Sequence, residues 1–174
     1  NLLYYFCARL LVEASYIEFD LKNLAQIITQ TFYRDGLYRT TSTGEHFGVE
    51  ANYLAIILDF HPDKDQLNLY KRIESSPINS GALPICSHPH YPEKDISWTC
   101  KVVGLARYHD EMTWSWIVGL KLHALYKLKQ TDEATALSDK IQDLHQRDGT
   151  IFEIYHPQTT EVYNNFLYSS ESPF

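Results

Sequence analysis

The sequence predicts an all-α protein made of three pairs of helices. Apolar residues recur at helical spacing in six segments, whereas the alternation typical of strands is almost absent. The predicted helices cover residues 2–15, 20–33, 47–60, 62–75, 110–129 and 132–146. No repeat of fixed period is present, so a stack of identical units is not predicted. Because the first and third helices are apolar on nearly every side, we expect either an irregular bundle or an arc of a larger helical toroid, with inner helices wrapped by outer ones.

The first pair of helices has recognisable beginnings and ends. Apolar residues recur every four positions from Leu2 to Leu10 and place the first helix over residues 2–15. Asp20 is a suitable N-cap for the second helix, because its side chain can accept a hydrogen bond from a free backbone N–H. The Asp-Gly pair at 35–36 predicts the turn that ends this pair.

A long connection separates the second and third pairs. Pro62 is predicted in the first turn of the fourth helix, where its missing N–H costs little. Residues 76–107 contain several prolines, and connections of this length inside a compact domain are more often functional than idle. Thr131 or Asp132 is predicted to cap the sixth helix, and the Asp-Gly pair at 148–149 is predicted to end it.

Charge and cysteine content narrow the function classes. The 174 residues include 15 Lys and Arg and 22 Asp and Glu, a formal net charge of −7. This acidic balance argues against a nucleic acid or an anionic membrane as the main partner, because either would need clustered cations. The longest apolar run, residues 2–8, is far shorter than the ~20 residues that span a bilayer. Three widely spaced cysteines favour a reducing compartment, and we expect the cytoplasm.

We expect the chain to be a piece of a longer protein. It opens at Asn1 rather than Met and goes directly into an apolar helical pattern, and it stops at Phe174 within an aromatic-rich stretch. Natural termini are usually polar and frayed. Residues 1–174 are therefore predicted to form a single domain that belongs to a larger one.

A single carboxylate stands in the short extended run Ile151–Tyr155, within the predicted loop of residues 150–174. A charge among apolar neighbours costs several kcal/mol unless it is paired, solvated in a cleft or neutralised by proton uptake. Glu153 therefore either points to water as part of a strand-like alternation or faces a polar cleft as a reactive group. The pattern alone leaves both interpretations open.

Polar groups and two indoles are concentrated at the predicted start of the fifth helix. Tyr108, His109, Trp114 and Trp116 combine rings that stack on sugar faces with groups that hydrogen-bond hydroxyls. A helix N-terminus at this point would add free N–H donors. The alternative is that both tryptophans are core residues and that the acids at 110–111 complement the helix dipole.

Other reactive residues fit known kinds of site poorly. The Cys-Ser-His-Pro-His segment at 86–90, with Cys100 ten residues on, offers zinc-ligand types, but its one-residue spacings differ from the usual two to four. Nothing marks Cys86 or Cys100 as an activated thiol. Gly44 is isolated, so no phosphate-binding loop is predicted. We predict no metal and no cofactor.

The order of several motifs resembles that of a known enzyme family. A Gly-Val-Glu-Ala-Asn-Tyr-Leu-Ala-Ile helix at 48–56 precedes Leu-Pro-Ile-Cys at 83–86 and His-Tyr-Pro at 90–92. Tyr-His and a Trp follow at 108–114, and Phe-Glu-x-Tyr-x-Pro follows a helix pair at 152–157. This order resembles the C-terminal half of inverting glycoside hydrolases built on a six-hairpin (α/α) toroid. The family includes neutral and alkaline invertases, trehalases, and processing or debranching α-glucosidases.

The resemblance implies roles for particular residues. It implies that Glu153 is the catalytic general base that activates water. It also implies that Tyr108, His109 and Trp114 line the sugar subsite, with Trp116 and Asn52 as further substrate contacts. An inverting enzyme needs a protonated acid ~6.5–9.5 Å from the base. In the family that acid is an aspartate in an earlier hairpin, so the upstream half of the same polypeptide is an expected partner.

Three functions follow from the resemblance and the residues. The leading one is hydrolysis, with inversion, of an α-glucosidic bond in a small saccharide, and Asp110 or Glu111 is a candidate replacement proton donor. The second is a saccharide-binding or interaction module that keeps the helical scaffold without catalysis. The third is a sugar epimerase that would use His109 and His123, placed on one predicted helix, for proton transfer. A carboxylate within inverting distance of Glu153 would favour hydrolysis.

Overall fold

The computed structural model describes residues 1–61 and 63–171, and this part of the chain is mostly helical. Its α-helices are α1 (Leu2–Glu13), α2 (Leu21–Phe32), α3 (Val49–Ile57), α4 (Asp63–Glu74), α5 (Trp98–Val102), α6 (Ser115–Lys127) and α7 (Thr131–Asp148). Short antiparallel pairs join β1 (Tyr33–Arg34) to β2 (Leu37–Tyr38), β3 (Phe47–Gly48) to β4 (Ser87–His88), and β5 (Thr113–Trp114) to β6 (Ile154–Tyr155). Within these described residues, no helix is both long enough and apolar enough to cross a lipid bilayer.

Three helical hairpins form the framework of the described chain. α1 packs on α2, α3 packs on α4, and α6 packs on α7. α3 also contacts both α1 and α6, so the first helices of the three hairpins are neighbours. A hydrogen bond of 2.5 Å from Tyr70 Oη on α4 to Glu133 Oε2 on α7 joins two of the second helices. The core is centred on α3, where Tyr53 and Ile56 are fully buried.

The first helix is less enclosed than its composition predicts. α1 buries Leu2 and Ala8 but leaves Leu3, Tyr4 and Leu10 exposed. Its main neighbours, α2 and α3, leave the rest of its surface uncovered. The expectation of an inner helix surrounded by others is therefore met by α3, whereas α1 presents an open apolar face.

The predicted caps and turns are confirmed where they depend on local chemistry. The Asp20 carboxylate accepts the Asn23 N–H at 2.9 Å and caps α2. Asp35 and Gly36 have φ angles of 52° and 80° and form the two-residue turn between β1 and β2. Gly149, with φ 74°, ends α7 in the left-handed conformation that glycine adopts without strain.

The fifth predicted helix begins five residues later than expected. Residues 108–112 form turns, Trp114 pairs with Ile154, and the Ser115 N–H donates to the Glu153 carbonyl at 2.8 Å. The backbone groups of Thr113 and Trp114 therefore take part in strand pairing and do not form the first turn of a helix. The proposed pairing of the acids at 110–111 with a helix dipole is therefore wrong, because these residues precede α6.

Three smaller differences concern the remaining segments. Gln130 is the N-cap of α7, without a side-chain hydrogen bond, so the capping role predicted for Thr131 or Asp132 is wrong. The predicted connection at 76–107 contains α5, β4 and two 3₁₀ turns. The role predicted for Pro62 lies outside the described residues.

The side-chain amide of Asn52 ties the start of α3 to two strands. Its Oδ1 accepts the Tyr38 N–H at 2.8 Å, and its Nδ2 donates to the carbonyls of Tyr38 and Gly48 at 3.0 and 2.8 Å. Asn52 is fully buried. The structure thus places it in the core, where its amide is engaged by the backbone, and we do not retain it as a sugar contact.

We expect Asn52→Ala to lower the free energy of unfolding by about 2–4 kcal/mol, because the buried N–H and carbonyl of Tyr38 lose their side-chain partner. Equilibrium urea unfolding measures this loss. Asn23→Ala, at an exposed position of α2, is the matched control. A loss below about 0.5 kcal/mol for Asn52→Ala, within the range of ordinary surface substitutions, would contradict the assignment.

Candidate functional site

Two adjoining cavities lie at the starts of α1, α3 and α6. The first has a volume of about 270 Å³ and reaches from Leu2 on α1 to Arg39. The second has a volume of about 230 Å³ and is lined by residues at the starts of α3 and α6 and by their strands. Thr40 and Glu50 line both cavities, which are therefore adjacent, and we refer to the two together as the cleft. Ligand sites are typically concave and largely preformed in this way.

An aromatic wall closes the second cavity. The rings of His109 and Trp114 are parallel within 5°, with centroids 5.2 Å apart. The indole N–H of Trp114 donates to the Tyr108 carbonyl at 2.8 Å, which fixes the indole against the preceding turn. Trp116 lines the same cavity and is 48% exposed. The predicted grouping of Tyr108, His109 and Trp114 is therefore present, and three of the predicted contact residues line the cleft.

Tyr108 lies between the aromatic wall and a second aromatic group, and it is not among the described residues that line the cleft. Its ring centroid lies 3.8 Å from that of His109 and 6.3 Å from that of Tyr168. Tyr168 in turn lies 5.9 Å from Tyr163, whose hydroxyl donates to the Gly104 carbonyl at 2.7 Å. These phenols hold the C-terminal loop against the turns that precede β5.

Glu153 belongs to this second aromatic group. Its Oε2 accepts a hydrogen bond from the Tyr168 hydroxyl at 3.2 Å, and its backbone carbonyl and N–H bond to Ser115 and Glu171. Burial raises the pKa of Tyr168 to about 12, and the Glu153 charge contributes to this shift. Glu153 is half-buried, and it is not among the described residues that line the two cavities.

Glu50 lines both cavities, and the sequence analysis did not select it. Burial raises the pKa of its carboxyl, opposed by a hydrogen bond from its own backbone N–H. A signal was present in the sequence, since Glu50 is an isolated acid in the first turn of an otherwise apolar helix. An acid in the first turn of a helix commonly stabilises the helix dipole. The sequence alone therefore does not distinguish Glu50 from such an acid, because its position in the cleft depends on the neighbouring loops.

The acids Asp110 and Glu111 and the Cys86 thiol have partners of their own. Within the part of the chain described, the group that could chelate an ion is His90, Asp110 and Glu111, but Arg107 lies 3.1 Å from Asp110 and 3.4 Å from Glu111. Asp110 is buried and also accepts the backbone N–H at position 91. Burial raises the pKa of Cys86, whose thiol donates to a backbone carbonyl, so this thiol stays protonated.

The structure does not contain the arrangement of histidines that the epimerase hypothesis requires. His109 lies in the turns before β5, whereas His123 is exposed on α6. The two histidines therefore do not share a helix.

Neither a protein-family model nor a curated protein matches this chain. The functional interpretation therefore depends on the residues of the cleft and on the motif order given above.

We expect the tryptophan fluorescence to decrease as the pH is lowered. The midpoint of this decrease should lie below 6.5, the ordinary pKa of histidine. Burial lowers the pKa of His109, against a smaller opposing effect of the Asp110 charge, so its imidazole becomes charged only in more acidic solution. A protonated imidazole stacked on Trp114 quenches indole emission. His109→Gln should abolish the transition, and His123→Gln should retain it. A midpoint at or above 6.5 would contradict the burial of His109.

Proposed function

We propose that this chain forms part of the active cleft of an inverting glycoside hydrolase that cleaves an α-glucosidic bond in a small saccharide. The supporting observation is the cleft itself, in which Trp114, Trp116 and His109 share a cavity with the carboxyl of Glu50. Flat rings pack on the apolar faces of sugars, while carboxyl and imidazole groups bind hydroxyls. This composition suits an uncharged, polyhydroxylated ligand.

Glu153 is the general base in this proposal. The hydrogen bond from the Ser115 N–H holds the Glu153 backbone at the start of α6, and the hydrogen bond from Tyr168 orients its carboxylate. In an inverting reaction the base removes a proton from water as that water attacks the anomeric carbon, while a separate acid protonates the leaving oxygen. Ring contacts from Tyr168 through Tyr108 to Trp114 support this role, because they connect the base to the wall on which a sugar ring would pack.

We further propose that the three hairpins form half of a six-hairpin (α/α) toroid. In support, α1, α3 and α6 are neighbours, each is followed by its own partner helix, and the cleft lies at the starts of all three. The exposed apolar face of α1, which includes Leu3, Tyr4 and Leu10, is a surface that a further hairpin would cover. The upstream part of the same polypeptide would then supply that hairpin and the general acid.

A saccharide-binding module on the same scaffold is the second candidate function. One observation favours it, because Glu153 is absent from the described lining of both cavities. A sugar bound against Trp116 and Glu50 would then be held without being cleaved.

We expect Glu153→Gln in the full-length polypeptide to lower turnover by about 10²–10⁴-fold, because the amide keeps the shape of the side chain but cannot accept the proton from water. Proton NMR with sucrose, trehalose, maltose and a short α-glucan measures both the rate and the anomer released. Saccharide binding should remain within about twofold of the wild-type value.

Glu161→Gln is the control for this experiment, since Glu161 is an exposed acid in the same C-terminal segment. Equal turnover by the wild type and Glu153→Gln would remove Glu153 from the mechanism. Binding without any turnover in the wild type would instead identify a binding module.

We expect Trp116→Ala to weaken saccharide binding by about 1–3 kcal/mol, because the indole loses its contact area with the sugar face. Isothermal titration calorimetry measures the affinity. Trp98→Ala is the matched control, because Trp98 is 75% exposed on α5 and lies outside the lining of both cavities. Equal effects of the two substitutions would exclude Trp116 as a sugar contact.

A further inference from the structure

Glu50 occupies the junction of the two cavities, and the mechanism proposed above gives it no role. With Thr40, it is shared by the walls of both cavities. Arg39 lines the first cavity, and His109 and Trp116 line the second. A ligand that extends from one cavity into the other therefore passes this carboxyl group.

The position of the Glu50 carboxylate depends on Gly48. A methyl group added at Gly48 would overlap both carboxylate oxygens of Glu50, so the carboxylate lies directly over the glycine. Gly48 has φ −84° and ψ 136°, an extended conformation that any residue adopts. A side chain at this position would therefore displace the carboxylate, although the backbone conformation itself would accept one.

The Glu50 carboxyl accepts a hydrogen bond from its own backbone N–H but has no cation beside it among the described residues. None of the salt bridges in the described part of the chain includes it. The nearby Cys86 thiol and Tyr91 phenol have pKa values raised mainly by burial and in smaller part by the Glu50 charge. A half-buried carboxyl without a cation is costly for the fold, and a ligand that donates hydrogen bonds to it would offset that cost.

We propose that Glu50 binds the saccharide directly, accepting hydrogen bonds from two neighbouring hydroxyls of one sugar ring, and that Gly48 is the positioning residue for this contact. The ligand class is an uncharged sugar, because a phosphorylated or carboxylated sugar would place a second negative charge beside Glu50. Trp116, in the same cavity, supplies the ring on which that sugar packs. This inference rests on the proposed function, since it takes the same cleft to be the saccharide site.

The test is calorimetric titration of the full-length polypeptide with maltose, trehalose and sucrose, each used separately. Glu50→Gln should weaken binding by about 10–100-fold, the effect of losing charged hydrogen bonds. Gly48→Ala should weaken it similarly, because the added methyl group pushes the carboxylate away from its present position. Glu45→Gln, at an exposed acid that precedes β3, should have no effect.

A double-mutant cycle separates positioning from a general effect on the fold. In a Glu50→Ala background, Gly48→Ala should cause no further loss of affinity, because no carboxylate remains to be displaced. The thermal unfolding midpoint should be the same for Gly48→Ala and the wild type. Additive losses of affinity, or a lowered midpoint for Gly48→Ala, would overturn the positioning role of Gly48.

The remaining outcomes distinguish this inference from the proposed function. A wild-type protein that binds none of the three sugars would overturn both. A wild-type protein that binds one of them as tightly as its Glu50→Gln variant would overturn the role of Glu50 alone. Tighter binding of maltose 1-phosphate than of maltose would overturn the ligand class.

Discussion

Three backbone groups around the start of α3 share one partner, the buried amide of Asn52. It accepts the N–H of Tyr38 and donates to the carbonyls of Tyr38 and Gly48. Without it, the N–H and carbonyl of Tyr38 on β2 would lose this partner in the core, at a cost of about 1–3 kcal/mol each. The same amide therefore fixes the relative positions of β2, which leads to Thr40, and Gly48, over which Glu50 lies. The shape of the cleft depends on this interaction, although no part of Asn52 reaches the cleft.

A second long-range contact places the other half of the site. β5 and β6 exchange hydrogen bonds over just two residues each, yet this pairing brings the C-terminal segment beside the aromatic wall. The bond from the Ser115 N–H to the Glu153 carbonyl starts α6 and fixes Glu153 at the same time. The start of α6 and the location of a candidate general base are thus consequences of one backbone contact.

The sequence predicts those features that a few neighbouring residues determine. The Asp20 cap, the Asp35-Gly36 turn and the end of α7 at Gly149 follow from side-chain or backbone preferences within four residues. The late start of α6 could not be predicted in this way, because it depends on pairing with residues 40 positions further along the chain. The buried role of Asn52 and the cleft position of Glu50 depend likewise on loops that approach α3 from elsewhere. Pattern analysis finds chemically suitable residues, and tertiary contacts decide which of them face the same space.

The two carboxyl groups near the aromatic wall have different surroundings. Glu153 accepts a hydrogen bond from a phenol, whereas Glu50 lies over a glycine at the junction of two cavities. Enzymes that cleave glycosidic bonds with two carboxyl groups assign their roles by such differences in environment. Trp114 is common to both regions, since it lines the cleft with Glu50 and pairs with the residue that follows Glu153. Hydrolysis by Glu153 requires the sugar ring to extend past Trp114, whereas binding requires only the cavity beside it. Under the proposed function, how far a saccharide would extend along that indole therefore distinguishes a hydrolase from a binding module.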